Sequence, residues 1–172
     1  MKEPLSWTHK ASEIPEAGLS ASRTATPAER AAVAQALDLV SCEDMTADYV
    51  TRPLGESRYR MSGRISARVT QRCVVTLEPV PQMIEESFDV EFWPALPQVG
   101  DAEVEVSSVP DIEPLEHGSI EAGRICFEIL AASLDAYPRK GGARFQWEDR
   151  ASAAGPSETG PFAGLKRLKG ER

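Results

Sequence analysis

Residues 57–72 read SRYRMSGRISARVTQR, with Arg58, Arg60, Arg64, Arg68 and Arg72 at even positions and Tyr59, Met61, Ile65, Ala67 and Val69 at odd ones. Alternate side chains of a strand point to opposite faces, so the run predicts one long strand with an arginine face and an apolar face. Arginine presents a planar fork of donors suited to phosphate or carboxylate. The face therefore fits nucleic acid, an acidic partner, or an acidic neighbouring strand. Residues 83–93 alternate in the same way, with Ile84, Phe88, Val90 and Phe92 set between Glu85, Ser87, Asp89 and Glu91. Joined through 76–82 as an antiparallel ribbon, the two strands share an apolar face, and Arg64 or Arg68 lies across from Glu85, Asp89 or Glu91. Such cross-strand pairs contribute only ~0.2–1 kcal/mol each. Arg58 and Arg60 are expected beyond the partner strand, as a basic end.

Charge is unevenly distributed along the chain. From Cys73 to Gly123 there is no Lys or Arg, whereas Glu78, Glu85, Glu86, Asp89, Glu91, Asp101, Glu103, Glu105, Asp111, Glu113, Glu116 and Glu121 accumulate. This asymmetry points to an interaction protein or to internal charge pairing. The formal net charge of −8 argues against a general nucleic-acid binder, because the summed field repels phosphate except near a local basic patch. An acidic chain equally suits a basic protein partner. No leader-like segment and no apolar run of about 20 residues is present, which predicts a soluble cytoplasmic protein. Cys42, Cys73 and Cys126 lack C-x-x-C spacing, and His9 and His117 are isolated; reduced thiols and no metal site are expected.

Working outward, residues 5–8 read as a short strand anchored by Trp7, and 10–25 as a polar loop. Thr26, Pro27 and Glu29 form a helix start with a capping box, for a surface helix over 27–37. Strands are expected over 38–41 and 47–52, separated by a turn at 42–44 and ended by Pro53 and Gly55. Residues 73–77 and 104–106 are further strand candidates. Gly118 or Ser119 caps a core helix that runs to Tyr137 and stops at Pro138. The expected fold is α+β: a twisted antiparallel meander of five or six strands with one main core helix and one smaller surface helix. Residues 1–144 form this domain, and 145–172 a flexible tail. Phe162, Leu165 and Leu168 recur beside Lys166, Arg167 and Lys169, giving the tail a short basic amphipathic ending suited either to docking or to a plain terminal helix.

Two stretches resemble the YceD-like family in its alphaproteobacterial form. One is Val69-Thr70-Gln71-Arg72-Cys73-Val74-Val75-Thr76-Leu77-Glu78-Pro79-Val80 with the strand after it. The other runs from Ile112-Glu113-Pro114-Leu115 to Tyr137-Pro138-Arg139-Lys140-Gly141, and the ending from Pro161-Phe162-Ala163 to Leu168-Lys169 is similar too. The resemblance implies a bacterial protein associated with accumulation of 23S ribosomal RNA and assembly of the large ribosomal subunit. It implies no catalytic mechanism. Many relatives carry C-x-x-C where this chain has Thr70 and Cys73, which argues against metal or redox chemistry as a requirement.

The expected contacts to 23S rRNA, its precursor or another partner are Arg58, Arg60, Arg64, Arg68, Arg72, Arg139, Lys140, Lys166, Arg167 and Lys169. The acid-rich segment over 103–121 is the expected seat of a basic large-subunit ribosomal protein. Gln71, Cys73, Thr76, Glu78, Pro79, Tyr137 and Pro138 are expected to be structural. Gln71 falls on the apolar parity, where an amide needs partners or a β-bulge near 71–73 to turn it away. Cys73 has Arg72 beside it, which in principle lowers a thiol pKa, but no histidine nearby in sequence; the expected role is a buried structural cysteine. No cofactor, metal, membrane or small-molecule substrate is inferred. An adaptor that binds a basic partner and ignores RNA is the alternative.

Overall fold

The computed structural model describes residues 3–94 and 111–145. The chain divides into two compact units, Met1–Gly141 and Gly142–Arg172; the fold below is that of the first. The elements in chain order are β1 (His9–Lys10), a 3-10 turn (Ala11–Glu13), β2 (Leu19–Thr24), α1 (Pro27–Ala36), β3 (Ser41–Gly55), β4 (Arg58–Arg72), β5 (Pro79–Trp93), β6 (Asp111–Pro114), a 3-10 turn (Glu116–Gly118), β7 (Ser119–Ile120) and α2 (Ala122–Ser133). Strands β2-β3-β4-β5-β6 form one sheet in that order, and β1 pairs with β7. All pairings are antiparallel except β5 with β6. The architecture is α+β and sheet-dominant, as the alternating patterns require.

The shared apolar face of the two long strands is present. Met61, Ile65, Ala67 and Val69 are buried on β4, opposite buried Val90, Phe88, Ile84 and Phe92 on β5. Their register pairs Tyr59 with Phe92, Met61 with Val90 and Ala67 with Ile84. Side chains such as Met61, Phe92 and Leu130, fully withdrawn from water, each contribute about 1.5–3 kcal/mol. α2 covers β4 and β5 on this face, and α1 lies against β3. Leu5 and Trp7 of the N-terminal segment join the same core. Gly123 makes that fit possible: a Cβ there would stand 2.5 Å from the Leu5 carbonyl oxygen, while the Gly123 N–H donates to the Trp7 carbonyl at 2.9 Å.

Several expected boundaries are corrected. Residues 5–8 are not a strand; pairing begins at His9, against Ile120. The expected loop over 10–25 contains the edge strand β2, whose Leu19 and Ala21 are only half-buried and give weak alternation. Of the expected strand over 38–41 only Ser41 is extended, and it opens the single strand β3 that also contains 47–52. The supposed turn at 42–44 is a register shift between Cys42 and Asp44, which lets both Cys42 and Met45 face inward. Pro53 does not break β3, because β2 ends opposite Thr51 and the proline lies beyond the region paired on that side. The hairpin turns at Glu56 and Ser57, both left-handed at φ 52° and 57°, as a two-residue type I′ loop requires. Residues 73–77 are a turn, not a strand. The parallel strand β6 was not expected. The candidate strand over 104–106 lies outside the described residues, as do Asp101, Glu103, Glu105 and everything after 145.

α1 carries the expected capping box. The Thr26 hydroxyl accepts the Glu29 N–H at 3.2 Å while Glu29 accepts the Thr26 N–H at 2.9 Å. α2 is shorter than expected at both ends. Ser119 and Ile120 belong to β7 and Glu121 takes the N-cap position, without a side-chain cap. The helix ends at Ser133, five residues before Pro138. There the Ser133 hydroxyl donates back to the Ile129 carbonyl at 2.8 Å, and the Asp135 carboxylate accepts the Tyr137 N–H at 2.9 Å. Local bonds of this kind compete with continuation of a helix.

Candidate functional site

The end of the sheet where β4 stops is built by two segments far apart in sequence. Residues 73–78 turn from β4 into β5, and 134–140 follow α2. The Val74 N–H donates to the Pro138 carbonyl at 2.9 Å, the Lys140 N–H to Cys73 Sγ at 3.4 Å, and Lys140 Nζ to Glu78 at 2.7 Å. Within the turn, the Cys73 N–H donates to the Glu78 carbonyl at 2.8 Å and the Leu77 N–H to the Cys73 carbonyl at 2.9 Å. Cys73, Thr76 and Glu78 thus belong to the turn, while Pro79 opens β5 opposite Arg72. Pro138 is buried and Tyr137 is exposed.

No β-bulge occurs near 71–73; the β4–β5 register is unbroken to Arg72. Gln71 instead finds a partner on the apolar side, donating through Nε2 to the Asp135 carbonyl at 2.9 Å. Gln82, its neighbour on β5, donates to the Ser133 carbonyl at 3.4 Å. Carbonyls at the C-terminus of a helix have no intrahelical donor; Gln82 caps one of these, and Gln71 holds the segment just after α2, so the two amides tie this region to the sheet.

Cys73 is buried, and its sulfur accepts three backbone N–H groups, from Val75, Thr76 and Lys140, each at 3.4 Å. The Lys140 N–H, followed by the donors of Thr76, holds the thiol down at about 6, against a smaller opposing effect of burial. Hydrogen bonds to a charged form favour it. Arg72, the expected cause, is not among the groups responsible. Cys126 shows the opposite case: burial within the core pushes its thiol up to about 12. The arrangement at Cys73 can hold a thiolate and join two loops. His9, the half-buried histidine, is engaged elsewhere, 2.7 Å from the Tyr49 hydroxyl, with its pKa lowered by desolvation and by Arg23. Among the described residues no group of three or more His, Cys, Asp or Glu is placed to hold a metal ion, and no helix is long and apolar enough to cross a membrane.

The arginines of β4 do not behave as expected. The anticipated basic end at Arg58 and Arg60 is neutralised. Arg58 pairs with Glu56 at 2.7 Å and lies over the Trp93 ring, 5.1 Å from its centroid. Arg60 grips Asp89 with both Nε and a terminal nitrogen, which holds the aspartate below its ordinary range and the guanidinium above its own. The acidic strand extends further along β4 than its apolar pattern suggests, so Glu91 stands opposite Arg60. Arg64 and Arg68 do not face Glu85, Asp89 or Glu91. They stand between Asp48 and Ser87, and between Asp44 and Met83. Arg64, Arg68, Arg72 and Arg139 are exposed, and none makes a salt bridge to a described residue. The available positive charge therefore lies toward the C-terminal end of β4. Lys140 is spent on Glu78. Lys166, Arg167 and Lys169 lie outside the described residues.

A second feature was not legible in the sequence. A cleft of about 330 Å³ is lined by Glu3, Phe92, Glu113, Pro114, Glu116, Ser119, Glu121 and Arg124. Arg124 bonds Glu113 at 3.0 Å and Glu128 at 2.9 Å and lies 3.4 Å from Glu121. Burial works against its charge, and the Glu128 and Glu113 carboxylates more than offset that. The acid run was visible, but the parallel β6 that gathers it around Arg124 was not. No family model, curated protein or solved structure matches the chain.

Proposed function

We propose that this chain is a non-enzymatic cytoplasmic factor in biogenesis of the large ribosomal subunit, supporting accumulation of 23S rRNA by holding components together. The observation that supports this reading is the convergence of the two family-like stretches. Gln71, Cys73, Val74 and Glu78 from the first meet Asp135, Pro138 and Lys140 from the second at one end of the sheet, where Arg72 and Arg139 make no salt bridge to a described residue. Cys73 serves this reading as a junction between loops. Arg64, Arg68 and Arg72 are then the sheet residues available to phosphate, with Arg139 on the loop whose neighbours Pro138 and Lys140 bond the turn after β4. Arg58 and Arg60 are withdrawn from the proposed contacts by their own carboxylates.

The test is binding of the purified full chain to 23S rRNA fragments across a salt series. Each phosphate contact contributes about 0.7–0.9 to the slope of log affinity against log salt. The variant Arg64→Glu/Arg68→Glu is expected to weaken binding and to lower that slope by about 1.4–1.8 in total if both residues contact phosphate. Binding with an unchanged slope removes the β4 face from the site, and absence of RNA binding at low salt overturns the RNA reading.

The acidic cleft favours one alternative, an adaptor for a basic large-subunit ribosomal protein. Such an adaptor binds that protein through the cleft acids, led by Glu116, which makes no salt bridge to a described residue, with Glu113 and Glu121 exchanging Arg124 for the partner's cations, and it ignores RNA even at low salt. Glu116→Lys/Glu121→Lys separates the two readings, since it weakens protein binding only.

A further inference from the structure

The loop junction carries more than charge. Val74, Leu77 and Tyr137 expose 49%, 70% and 73% of their surface there, and Val40, 50% exposed, is tied to the same end of β4 by its N–H bond to the Thr70 carbonyl at 2.8 Å. Scattered exposed apolar residues need no explanation; a grouping at one end of a sheet marks an interaction site. Leu77 is the most telling of the four, because its backbone is left-handed at φ 62°. That conformation suits Asn or Gly and is unfavourable for a leucine. A leucine both strained and exposed does nothing for the isolated domain.

We propose that this end of the sheet is a docking surface for a protein segment that combines apolar side chains with carboxylates. Glu78, Asp135 and Glu43, the carboxylates at this end of the sheet, are already engaged by Lys140, by the Tyr137 N–H and by the Thr70 and Ser41 hydroxyls. Arg72 and Arg139 remain, exposed and without a described salt bridge. Three of the four apolar groups are aliphatic, so the surface packs side chains better than it stacks bases, which need rings. A continuous polyanion such as RNA or an anionic bilayer would also meet Glu78 and Asp135, whereas a peptide can place single carboxylates against Arg72 and Arg139 alone. The basic motif near the chain's end, Lys166, Arg167 and Lys169, has the wrong sign. The proposal assigns Arg72 and Arg139 to the peptide and leaves Arg64 and Arg68 as the rRNA contacts along β4, so Arg64→Glu/Arg68→Glu tests the RNA reading and Arg72→Glu/Arg139→Glu tests this one.

The experiment is selection of a displayed random-peptide library on the full chain, followed by binding isotherms with the enriched peptides. Enrichment of apolar residues with Asp or Glu is expected. Leu77→Asn, which suits the left-handed backbone, and Arg72→Glu/Arg139→Glu should each weaken binding about tenfold or more, as loss of an interface anchor does. Leu54→Asn, an exposed site on β3 near the opposite end of the sheet, should leave it unchanged. The proposal is overturned by the absence of any enriched peptide, by enrichment of basic peptides, or by binding that ignores Leu77→Asn. It is overturned equally if single-stranded RNA occupies the junction with greater sensitivity to Leu77→Asn than the peptides show, or if the chain self-associates through Leu77.

Discussion

Replacing Gly63 with alanine tests the register that puts Arg64 and Arg68 on the solvent face. Gly63 stands opposite Tyr49 in the middle of the β3–β4 pair and opposite Phe88 on β5. A Cβ at this position would lie 2.3 Å from the Asp48 carbonyl oxygen, 2.5 Å from Tyr49 Cβ and 2.7 Å from Tyr49 Cα. Ordinary contacts between non-bonded carbons are about 3.5–4.0 Å, so β3 and β4 must separate by roughly 1 Å. The obstructing atoms include backbone of a strand paired on both sides, and no flexible side-chain end can yield. Overpacking of a core typically costs 1–3 kcal/mol, and the upper part of that range, about 3 kcal/mol, applies here. For a domain of this size that corresponds to a fall in Tm of about 10 °C. Thermal and urea unfolding followed by circular dichroism measure it, with the exposed neighbour Ser62→Ala as a control expected within about 0.5 kcal/mol of the parent. If Gly63→Ala also falls within that margin, Tyr49 is not opposite Gly63. A one-residue slip would then carry every arginine of β4 to the other face, and the proposed RNA contacts would go with it.

Three further perturbations separate local contributions. Cys73 has a folded pKa of about 6 against 9.0 for the free thiol, so between these values the unfolded chain binds a proton that the folded one does not, and stability should rise with pH. Relative to Cys73→Ala, the parent should gain stability from pH 6 to pH 9 and lose this advantage as pH falls through 6; parallel urea-stability profiles would exclude a thiolate in the cradle. The Arg60–Asp89 pair is exposed on both sides, so Asp89→Asn should cost less than about 1 kcal/mol despite its bidentate geometry, and a double-mutant cycle giving a larger coupling would contradict this. Thr26→Ala removes half of the capping box and should cost about 1 kcal/mol in urea unfolding; no change would mean that packing alone fixes the start of α1.

What could be read from the sequence was set by the range of the interactions. Alternation in β4 and β5 and the Thr26 cap are local patterns, and they located the long strands and the start of α1. The same alternation misled where parity changes: the extra residue at Glu43 broke the pattern of β3 and imitated a turn. β6 is four residues long and pairs in parallel with β5, so it left no alternation to find. The candidate site followed the same division. Gln71, Cys73 and Glu78 were noticed as individuals, but their partners Asp135 and Lys140 are more than 60 residues away. Leu77 was missed because a strand over 73–77 would have turned it into the core.

The sorting of arginines bears most directly on function. The sequence suggested a face neutralised by the acidic strand at Arg64 and Arg68, with a basic end left at Arg58 and Arg60. Pairing geometry reverses that order, since β5 extends to Trp93 and brings Asp89 to Arg60, while the type I′ turn brings Glu56 to Arg58. The C-terminal end of β4 receives no such partner, because β5 begins there with Pro79, Val80 and Pro81, which carry no charge. The acids of β3 face Arg64 and Arg68 without forming salt bridges, and Arg72 has only the uncharged Pro79 opposite it. Among the arginines of β4, those without a described salt bridge lie toward its C-terminal end, and in a chain of net charge −8 such a local basic patch gives an anionic partner a favourable direction of approach. Placing that end at the junction of 73–78 with 134–140 couples the approach to the apolar side chains exposed there, so charge can orient a partner and Leu77, Val74 and Tyr137 can retain it.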